Sequence, residues 1–184
     1  MREAGIPDAD IHIKKKTLPC YFRPSKDWDL IVKVKDDLIA VIEIKAHVGS
    51  FGNNFNNRVE EALGSATDFW AAYRESTFKP SARPWLGYLM LLEDAPGSTR
   101  DSKPKKLPHY PMRKEFEMIS YCRRYEIFCE RLVRERLYDA TCFLTSRAKD
   151  GLDGQYSEPN KELSFDNFAV SLGARAAAFA NLKM

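Results

Sequence analysis

The chain has 184 residues, of which 44% are hydrophobic and 30% are charged, and its formal net charge is only +3. This length and composition predict one domain, 1–184, with enough apolar residues to bury a core. A charge so close to balance excludes a protein dominated by a basic electrostatic field. Contacts with a polyanion, if the chain makes them, must therefore come from local clusters of Lys and Arg.

Cysteine use and hydropathy exclude several further classes. Cys20, Cys122, Cys129 and Cys142 show no Cys-x-x-Cys spacing, so structural zinc is not indicated. The sequence shows no signal peptide and no apolar run of transmembrane length. We therefore expect a cytoplasmic protein in a reducing compartment, without a membrane partner.

The first strongly patterned elements are two β-rich runs at 29–34 and 38–47, after a shorter segment at 11–16 that is predicted to open the sheet. The short charged stretch between the two runs is typical of an antiparallel hairpin. A three-residue loop at 35–37 would pair Val34 with Leu38 and set the two runs in register.

Three charged side chains meet at one end of this hairpin. Side chains alternate faces along a strand, so Glu43 and Lys45 point the same way, and the predicted register places Asp29 opposite Glu43. Opposed residues have Cβ atoms about 4.5–5.5 Å apart. Two carboxylates without a thiolate or histidine cluster suit Mg²⁺, and a nearby lysine could activate water or stabilise charge on phosphorus. The pattern predicts a metal-dependent phosphodiesterase with Asp29 and Glu43 as metal ligands and Lys45 as the catalytic lysine.

Two alternatives stay open at this site. Asp27 lies two residues before Asp29 on the same predicted strand face, and we prefer Asp29 because the apolar run begins directly after it. The other alternative is an edge strand on which Lys33, Glu43 and Lys45 face water and form a cross-strand pair. A D…E-x-K pattern is short and degenerate, so it does not decide between a catalytic and a structural strand.

Segments on either side of the hairpin supply candidate nucleic-acid contacts. Asn can pair bidentately with adenine and Arg with guanine, whereas Asn is also common in turns and helix caps. Clusters of Lys suit phosphate contacts, although many such runs are merely solvated. The predicted DNA-binding residues are Asn53, Asn54, Asn56, Asn57, Arg58, Lys14, Lys15 and Lys16, with the basic stretch 103–114 as a further patch.

The remaining pattern predicts a mixed α/β fold. A helix over 57–75 carries one apolar face, and the nearly continuous apolar run 85–92 fits a buried central strand. A further helix, a strand and a final helix are predicted at 116–137, 140–145 and 164–182. This order predicts a three-layer core with a mixed sheet, in which the catalytic hairpin is flanked by helices.

Several segments carry a family resemblance across nearly the whole chain, roughly 10–179. They are Asp27-Trp-Asp-Leu, Ala40-Val-Ile-Glu-Ile-Lys, Phe51-Gly-Asn-Asn-Phe-Asn-Asn-Arg-Val-Glu-Glu-Ala-Leu-Gly-Ser-Ala, Arg83-Pro-Trp-Leu-Gly-Tyr, Leu132-Val-Arg-Glu-Arg-Leu-Tyr-Asp-Ala and Leu163-Ser-Phe. Together they resemble the XhoI-type type II restriction endonucleases of the PD-(D/E)XK nuclease superfamily. The asparagine-rich segment is far more specific than the short E-x-K motif.

The resemblance implies an enzyme that cuts duplex DNA with Mg²⁺ as a homodimer and is paired with a cognate DNA methyltransferase. It also implies the palindromic target CTCGAG, cut after the first C to leave 5′ overhangs. The family normally has a longer N-terminal region than this chain shows. Two alternatives therefore accompany the prediction: a structure-selective DNA repair or recombination nuclease of the same fold, and a catalytically inert, N-terminally truncated DNA-binding fragment.

Overall fold

The computed structural model describes residues 4–6, 10–13, 16–103 and 107–183. Within these ranges, the strands are β1 (Asp10–His12), β2 (Thr17–Pro19), β3 (Ser25–Asp27), β4 (Leu30–Val34), β5 (Asp37–His47), β6 (Trp85–Glu93) and β7 (Ala140–Ser146). The helices are α1 (Phe51–Arg74), α2 (Pro96–Thr99), α3 (Tyr121–Arg134) and α4 (Phe165–Lys183), with short 3₁₀ turns at Lys114–Phe116, Asp150–Asp153 and Lys161–Leu163.

One five-stranded mixed sheet organises the molecule, in the order β1-β4-β5-β6-β7. The pairs β1–β4 and β4–β5 are antiparallel, whereas the pairs β5–β6 and β6–β7 are parallel. The apolar runs of β5 and β6 lie in the middle of this sheet because both of their faces are covered. Strands β2 and β3 form a separate antiparallel pair, the β2–β3 hairpin.

Two apolar clusters show that the sheet lies between two helical layers. On one face, side chains of α1 and α3 such as Phe69 and Leu132 pack with Val41 and Tyr88 of the sheet. On the other face, α4 packs Phe168 and neighbouring residues against the opposite sides of the same strands. The predicted three-layer α/β core with a mixed sheet is therefore confirmed.

The turn of the β4–β5 hairpin is shorter than the predicted loop at 35–37. Val34 pairs with Asp37, so the predicted pairing of Val34 with Leu38 was wrong. Lys35 adopts a left-handed backbone conformation, with φ of 51°, and this lets the chain reverse within fewer residues.

A β-bulge restores the predicted register toward the charged end of the hairpin. Val32 pairs with Ala40, but the next residue of β4, Lys33, pairs with Leu38. Ile39 of β5 is therefore the extra residue of the bulge. Ile39 and Ala40 consequently both pack in the α4 layer, against strict alternation. Leu30 then pairs with Ile42, as the sequence predicted.

Helix α1 begins earlier than the predicted start at residue 57. It follows β5 almost directly, since Ser50 takes a left-handed conformation with φ of 45°. Phe55 in its first turns packs against the rings of Tyr121 and Tyr125. This aromatic packing stabilises a helical start that the asparagines themselves do not favour.

Other boundaries differ less. The predicted strand at 11–16 is replaced by β1 at the sheet edge, which pairs with Ile31–Lys33 of β4. Helix α3 begins at Tyr121 rather than at 116. The strand at 140–145 and the final helix are confirmed within a residue or two. None of the helices in the described ranges is long and apolar enough to cross a membrane.

Candidate active site

Glu43 and Lys45 project from β5 into the layer beneath α1 and α3. They share a strand face with Val41, which packs in that layer. Glu43 is only 2% exposed, and Lys45 Nζ lies 2.5 Å from its Oε1 atom. The buried carboxylate is therefore ion-paired, as a charge removed from water requires.

Asp29 lies next to this pair, just before β4. Its backbone N–H donates to the carbonyl of Ile42 at 3.2 Å, just beyond the pair of Leu30 and Ile42, so Asp29 lies beside the segment of β5 that carries Glu43. Its carboxylate accepts the N–H of Ile44 at 2.7 Å and lies 3.5 Å from Lys16 Nζ. The structure thus brings together the three residues that the sequence analysis selected.

Asp27 occupies a different position from the one expected. It lies in β3, which belongs to the β2–β3 hairpin rather than to the strand that begins at Leu30. Its carboxylate accepts a short hydrogen bond from the Thr17 hydroxyl, and its side chain is exposed. The expectation that Asp27 and Asp29 share one strand face was wrong, because the chain changes sheet between them.

Lys26 also contacts Glu43, although the sequence did not predict it. Its Nζ atom lies 3.0 Å from Glu43 Oε1 and 4.7 Å from the centre of the Trp28 ring. A sequence signal was present, since the Arg23-Pro-Ser segment is typical of a turn before a short strand. That strand places Lys26 and Trp28 on one face, but contact with Glu43 depends on tertiary packing.

One carboxylate oxygen of the site has no hydrogen-bond donor. Glu43 Oε2 is buried and without a hydrogen-bond partner among the described residues. Leaving such an oxygen unpaired is costly, and a hard cation would satisfy it. Glu43 Oε2 is therefore available as a carboxylate ligand for Mg²⁺. In the described part of the chain, no group of three or more His, Cys, Asp or Glu side chains is arranged to hold a metal.

A cleft of about 540 Å³ opens onto this cluster. Lys26, Glu43 and Lys45 form its floor, and α1 and the tip of the β2–β3 hairpin form its walls. The wall residues include Phe22, Arg23, Glu60, Glu61, Gly64 and Asp68. Glu60 and Glu61 are acidic residues of this cleft that the sequence analysis did not select.

Asp68 fastens the tip of the β2–β3 hairpin to α1. One of its oxygens accepts the N–H groups of Tyr21 and Phe22 at 2.7 and 2.8 Å, and the other accepts Arg23 Nε at 2.7 Å. Burial opposes ionisation of Asp68, but the hydrogen bonds from Phe22, Arg23 and Tyr21 outweigh it and lower its pKa. The hairpin that carries Lys26 is thus held at its far end.

Comparison with known proteins identifies this chain. Residues 1–158 match the family described as restriction endonuclease XhoI. The chain belongs to the XhoI restriction endonuclease family. It is 49% identical over 189 residues to the type II restriction enzyme BstVI of Geobacillus stearothermophilus, covering 99% of this chain and 84% of that protein.

Two further relatives carry related names. The type II restriction enzyme XhoI of Xanthomonas vasicola is 44% identical over 137 residues, which is 72% of this chain and 55% of that protein. The type II restriction enzyme AbrI of Azospirillum brasilense is 52% identical over 113 residues, which is 60% of this chain and 50% of that protein. No solved structure shows a significant match to the chain.

The asparagine block of this XhoI-family chain is helical rather than a turn. Asn56 and Asn57 are exposed in the first turns of α1, and Asn54 is half-buried. Asn56 and Asn57 do not cap the helix, because Ser50 occupies the cap position. Arg58 Nη1 donates to Glu61 at 2.8 Å.

Three of the predicted DNA contacts fall outside what the structure describes. Lys14 and Lys15 lie outside the described residues, as does the side chain of Asn53. Lys16 is described, and it pairs with Asp29 rather than standing apart as a surface charge. In the basic stretch 103–114, Arg113 pairs with Glu115 at 3.2 Å.

His47 is a buried residue that packs against aromatic side chains. It is 2% exposed, and its Nδ1 atom lies 2.6 Å from the Tyr125 hydroxyl, beside the Phe51 ring. Burial lowers its pKa, and the nearby Arg58 charge acts in the same direction. The residue shares the face of Glu43 and Lys45 but packs between β5 and α3.

Proposed function

We propose that this chain is a Mg²⁺-dependent type II restriction endonuclease that cuts duplex DNA at the palindrome CTCGAG, after the first C, to leave 5′ overhangs. Membership of the XhoI family supports the reaction class. The observation that carries the proposal is the pair of Glu43 and Lys45 at the floor of an open cleft, with the Asp29 carboxylate hydrogen-bonded to Ile44 between them. A restriction enzyme requires such a site to be accessible to a duplex.

Asp29 and Glu43 would hold the metal ion. Glu43 Oε2 is a buried oxygen without a donor in the described part of the chain, and Asp29 lies just before β4, the antiparallel neighbour of the strand that carries Glu43. When bound, Mg²⁺ supplies polarisation of the scissile phosphate and of a water molecule. The Ile44 N–H holds the Asp29 carboxylate in its orientation.

Lys45 would act on the attacking water or on the charge that builds up at phosphorus. Its ammonium group contacts Glu43 Oε1, so it lies directly beside the proposed metal ligand. A cation at this place lowers the energy of an anionic transition state. The same position allows Lys45 to orient water for proton removal.

DNA contacts would come from the exposed side of α1 and from basic residues near the cleft. Asn53, Asn54, Asn56, Asn57 and Arg58 are proposed to read bases, and Lys14, Lys15 and Lys16 to contact phosphates. Exposure of Asn56 and Asn57 supports part of this assignment. Since Lys16 already pairs with Asp29, its phosphate contact would lie close to the scissile bond.

The proposal includes three features of the cellular setting. A palindromic target implies a homodimer, because each strand then meets an equivalent site. A cognate DNA methyltransferase would protect the host sequence. A cytoplasmic location fits four cysteines that are all free thiols.

Digestion of plasmid DNA tests the proposal. Plasmids with and without a single CTCGAG site are incubated with the protein in Mg²⁺ and, separately, in EDTA. Linear product only from the plasmid with the site, and only with Mg²⁺, is the expected result. Cleavage of branched or single-stranded DNA regardless of sequence would replace the proposal with a structure-selective nuclease. No cleavage by folded protein would indicate an inert DNA-binding fragment.

Substitution of the lysine tests the catalytic assignment. Lys45→Ala is expected to retain binding to a CTCGAG duplex and to lose cleavage by at least about 10²-fold, because its charge is needed in the transition state. Binding is measured by mobility shift in Ca²⁺ and cleavage by single-turnover kinetics in Mg²⁺. Lys35→Ala at the exposed hairpin turn is the matched control. A wild-type cleavage rate for Lys45→Ala would remove Lys45 from the mechanism.

A further inference from the structure

Glu43 is held by two lysines through a single oxygen. Lys45 reaches Oε1 from the same strand, and Lys26 reaches it from β3. The side chains of Lys26 and Glu43 are only 13% and 2% exposed, so water screens this pair little. Two donors on Oε1 fix the orientation of the carboxylate and leave Oε2 directed elsewhere.

The position of Lys26 is itself fixed by packing. Its ammonium group lies 4.7 Å from the centre of the Trp28 ring, and Trp28 is 1% exposed and packs edge-on against Phe69 of α1. At the other end of the β2–β3 hairpin, Asp68 binds the tip to the same helix. Lys26 is therefore not a flexible surface lysine that happens to meet a carboxylate.

The charges around the candidate metal site favour an anion as well as a cation. The two carboxylates of Asp29 and Glu43 are met by three ammonium groups, from Lys16, Lys26 and Lys45. A divalent ion entering this cluster without DNA meets the repulsion of the lysines. A phosphodiester adds negative charge that compensates for them, so DNA and metal should bind together.

We infer that Lys26 is a positioning residue of this active site, which orients Glu43 through Oε1 and weakens cation binding until a DNA phosphate is present. The inference rests on the proposed function and deepens it, since it adds a residue and a binding order to the same site. No covalent step involves Lys26.

The variants are chosen to separate charge from shape. Lys26→Met removes the ammonium group but keeps an unbranched side chain against Trp28. Lys26→Arg keeps the charge. Lys35→Met, at the exposed turn at the other end of the hairpin, removes one charge away from Glu43 and serves as the matched control. Near-ultraviolet circular dichroism establishes that each variant is folded.

The first readout is metal binding without DNA. In calorimetric titrations with Mn²⁺, Lys26→Met is expected to bind roughly tenfold more tightly than wild type, because one cationic neighbour of the site is gone. Lys26→Arg and Lys35→Met should stay within about twofold of wild type. An unchanged or weaker Mn²⁺ affinity for Lys26→Met would overturn the inference about charge.

The second readout is single-turnover cleavage of a CTCGAG duplex at saturating Mg²⁺. Lys26→Met should be slower by roughly 10- to 100-fold, as is typical when a partner that orients a metal ligand is lost. Lys26→Arg should recover most of the rate. Cleavage by Lys26→Met at the wild-type rate would overturn the positioning role. If wild type itself does not cut, the proposed function fails, whereas the Mn²⁺ titrations still decide the effect of the Lys26 charge.

Discussion

At the level of single residues, burial and charge are balanced differently at neighbouring positions of β5. Glu43 is buried and forms ion pairs with Lys26 and Lys45. His47, on the same strand face, is equally buried but has the Tyr125 hydroxyl as its neighbour instead of a carboxylate. Burial lowers its pKa, so the neutral form is the one that packs in the core.

This lowered pKa predicts a pH dependence of stability. An unfolded His has a pKa of about 6.5. As the pH falls below this value, the unfolded state binds a proton, whereas His47 in the folded state remains unprotonated. The free energy of unfolding should decrease by up to about 1.4 kcal/mol per pH unit until the folded pKa is reached. Urea unfolding at several pH values between 7.5 and 5 measures this decrease in the free energy of unfolding.

His47→Gln removes this titration and keeps a polar partner for Tyr125. Its free energy of unfolding should fall less steeply below pH 6.5 than that of wild type. His109→Gln, at an exposed position, controls for the loss of a histidine. Parallel pH profiles for wild type and His47→Gln would show that His47 does not govern this range.

At the level of elements, the sequence could predict those that carry their own periodicity. The hairpin, β6 and α3 have apolar patterns that local spacing reveals, and the structure confirms each of them. The start of α1 was not predicted, because asparagine favours turns while Phe51 and Phe55 extend the apolar stripe of the helix. Extending the apolar pattern of the helix back across the asparagines to Phe51 would have predicted the right start of α1.

Two local deviations in the hairpin compensate each other. The turn is tighter than predicted, and the bulge at Ile39 adds back the residue that the turn omits. Asp29 therefore stands beside Glu43 although the predicted loop was wrong. No sequence signal distinguishes this arrangement from a regular three-residue loop, because both place the same apolar residues on the two faces near the site.

The central strand β6 gives a prediction about packing. A Cβ atom on Gly87 would lie 2.4 Å from the Trp85 ring and 2.7 Å from the Phe168 ring, closer than carbon atoms approach. Gly87→Ala should therefore lower the free energy of unfolding by about 1–3 kcal/mol or more, as overpacking of a rigid core does. Urea unfolding followed by tryptophan fluorescence measures the change.

Gly173→Ala in α4 is the matched control for that substitution. Nothing lies within 4 Å of a Cβ atom at Gly173. Alanine in a helix interior is favoured over glycine by about 1 kcal/mol, so Gly173→Ala should be neutral or slightly stabilising. Equal stability of wild type and Gly87→Ala would mean that β6 and α4 separate easily, contrary to the packing described.

At the level of the whole molecule, the fold brings distant segments into one site. Sequence spacing sufficed for Asp29, Glu43 and Lys45 because they lie on one hairpin. Sequence spacing could not predict the roles of Lys26 and Asp68. Asp68 contacts Arg23, which is 45 positions away in the chain, and this contact binds the β2–β3 hairpin to α1. Such contacts follow from how two sheets and a helix pack, which local patterns do not encode.

The proposed homodimer makes a prediction about which strands are cut. Each copy of the chain would bring one Asp29–Glu43–Lys45 cluster, and a palindrome presents two equivalent phosphodiester bonds. A heterodimer of wild type and Lys45→Ala should cut one strand and leave nicked circles from a plasmid with a single CTCGAG site. Two different affinity tags on co-expressed chains allow this heterodimer to be purified, and gel electrophoresis separates nicked from linear DNA.

Linear product from the purified heterodimer at the wild-type rate would show that one catalytic site serves both strands. Failure of any doubly tagged species to form, including one between two differently tagged wild-type chains, would exclude a stable dimer.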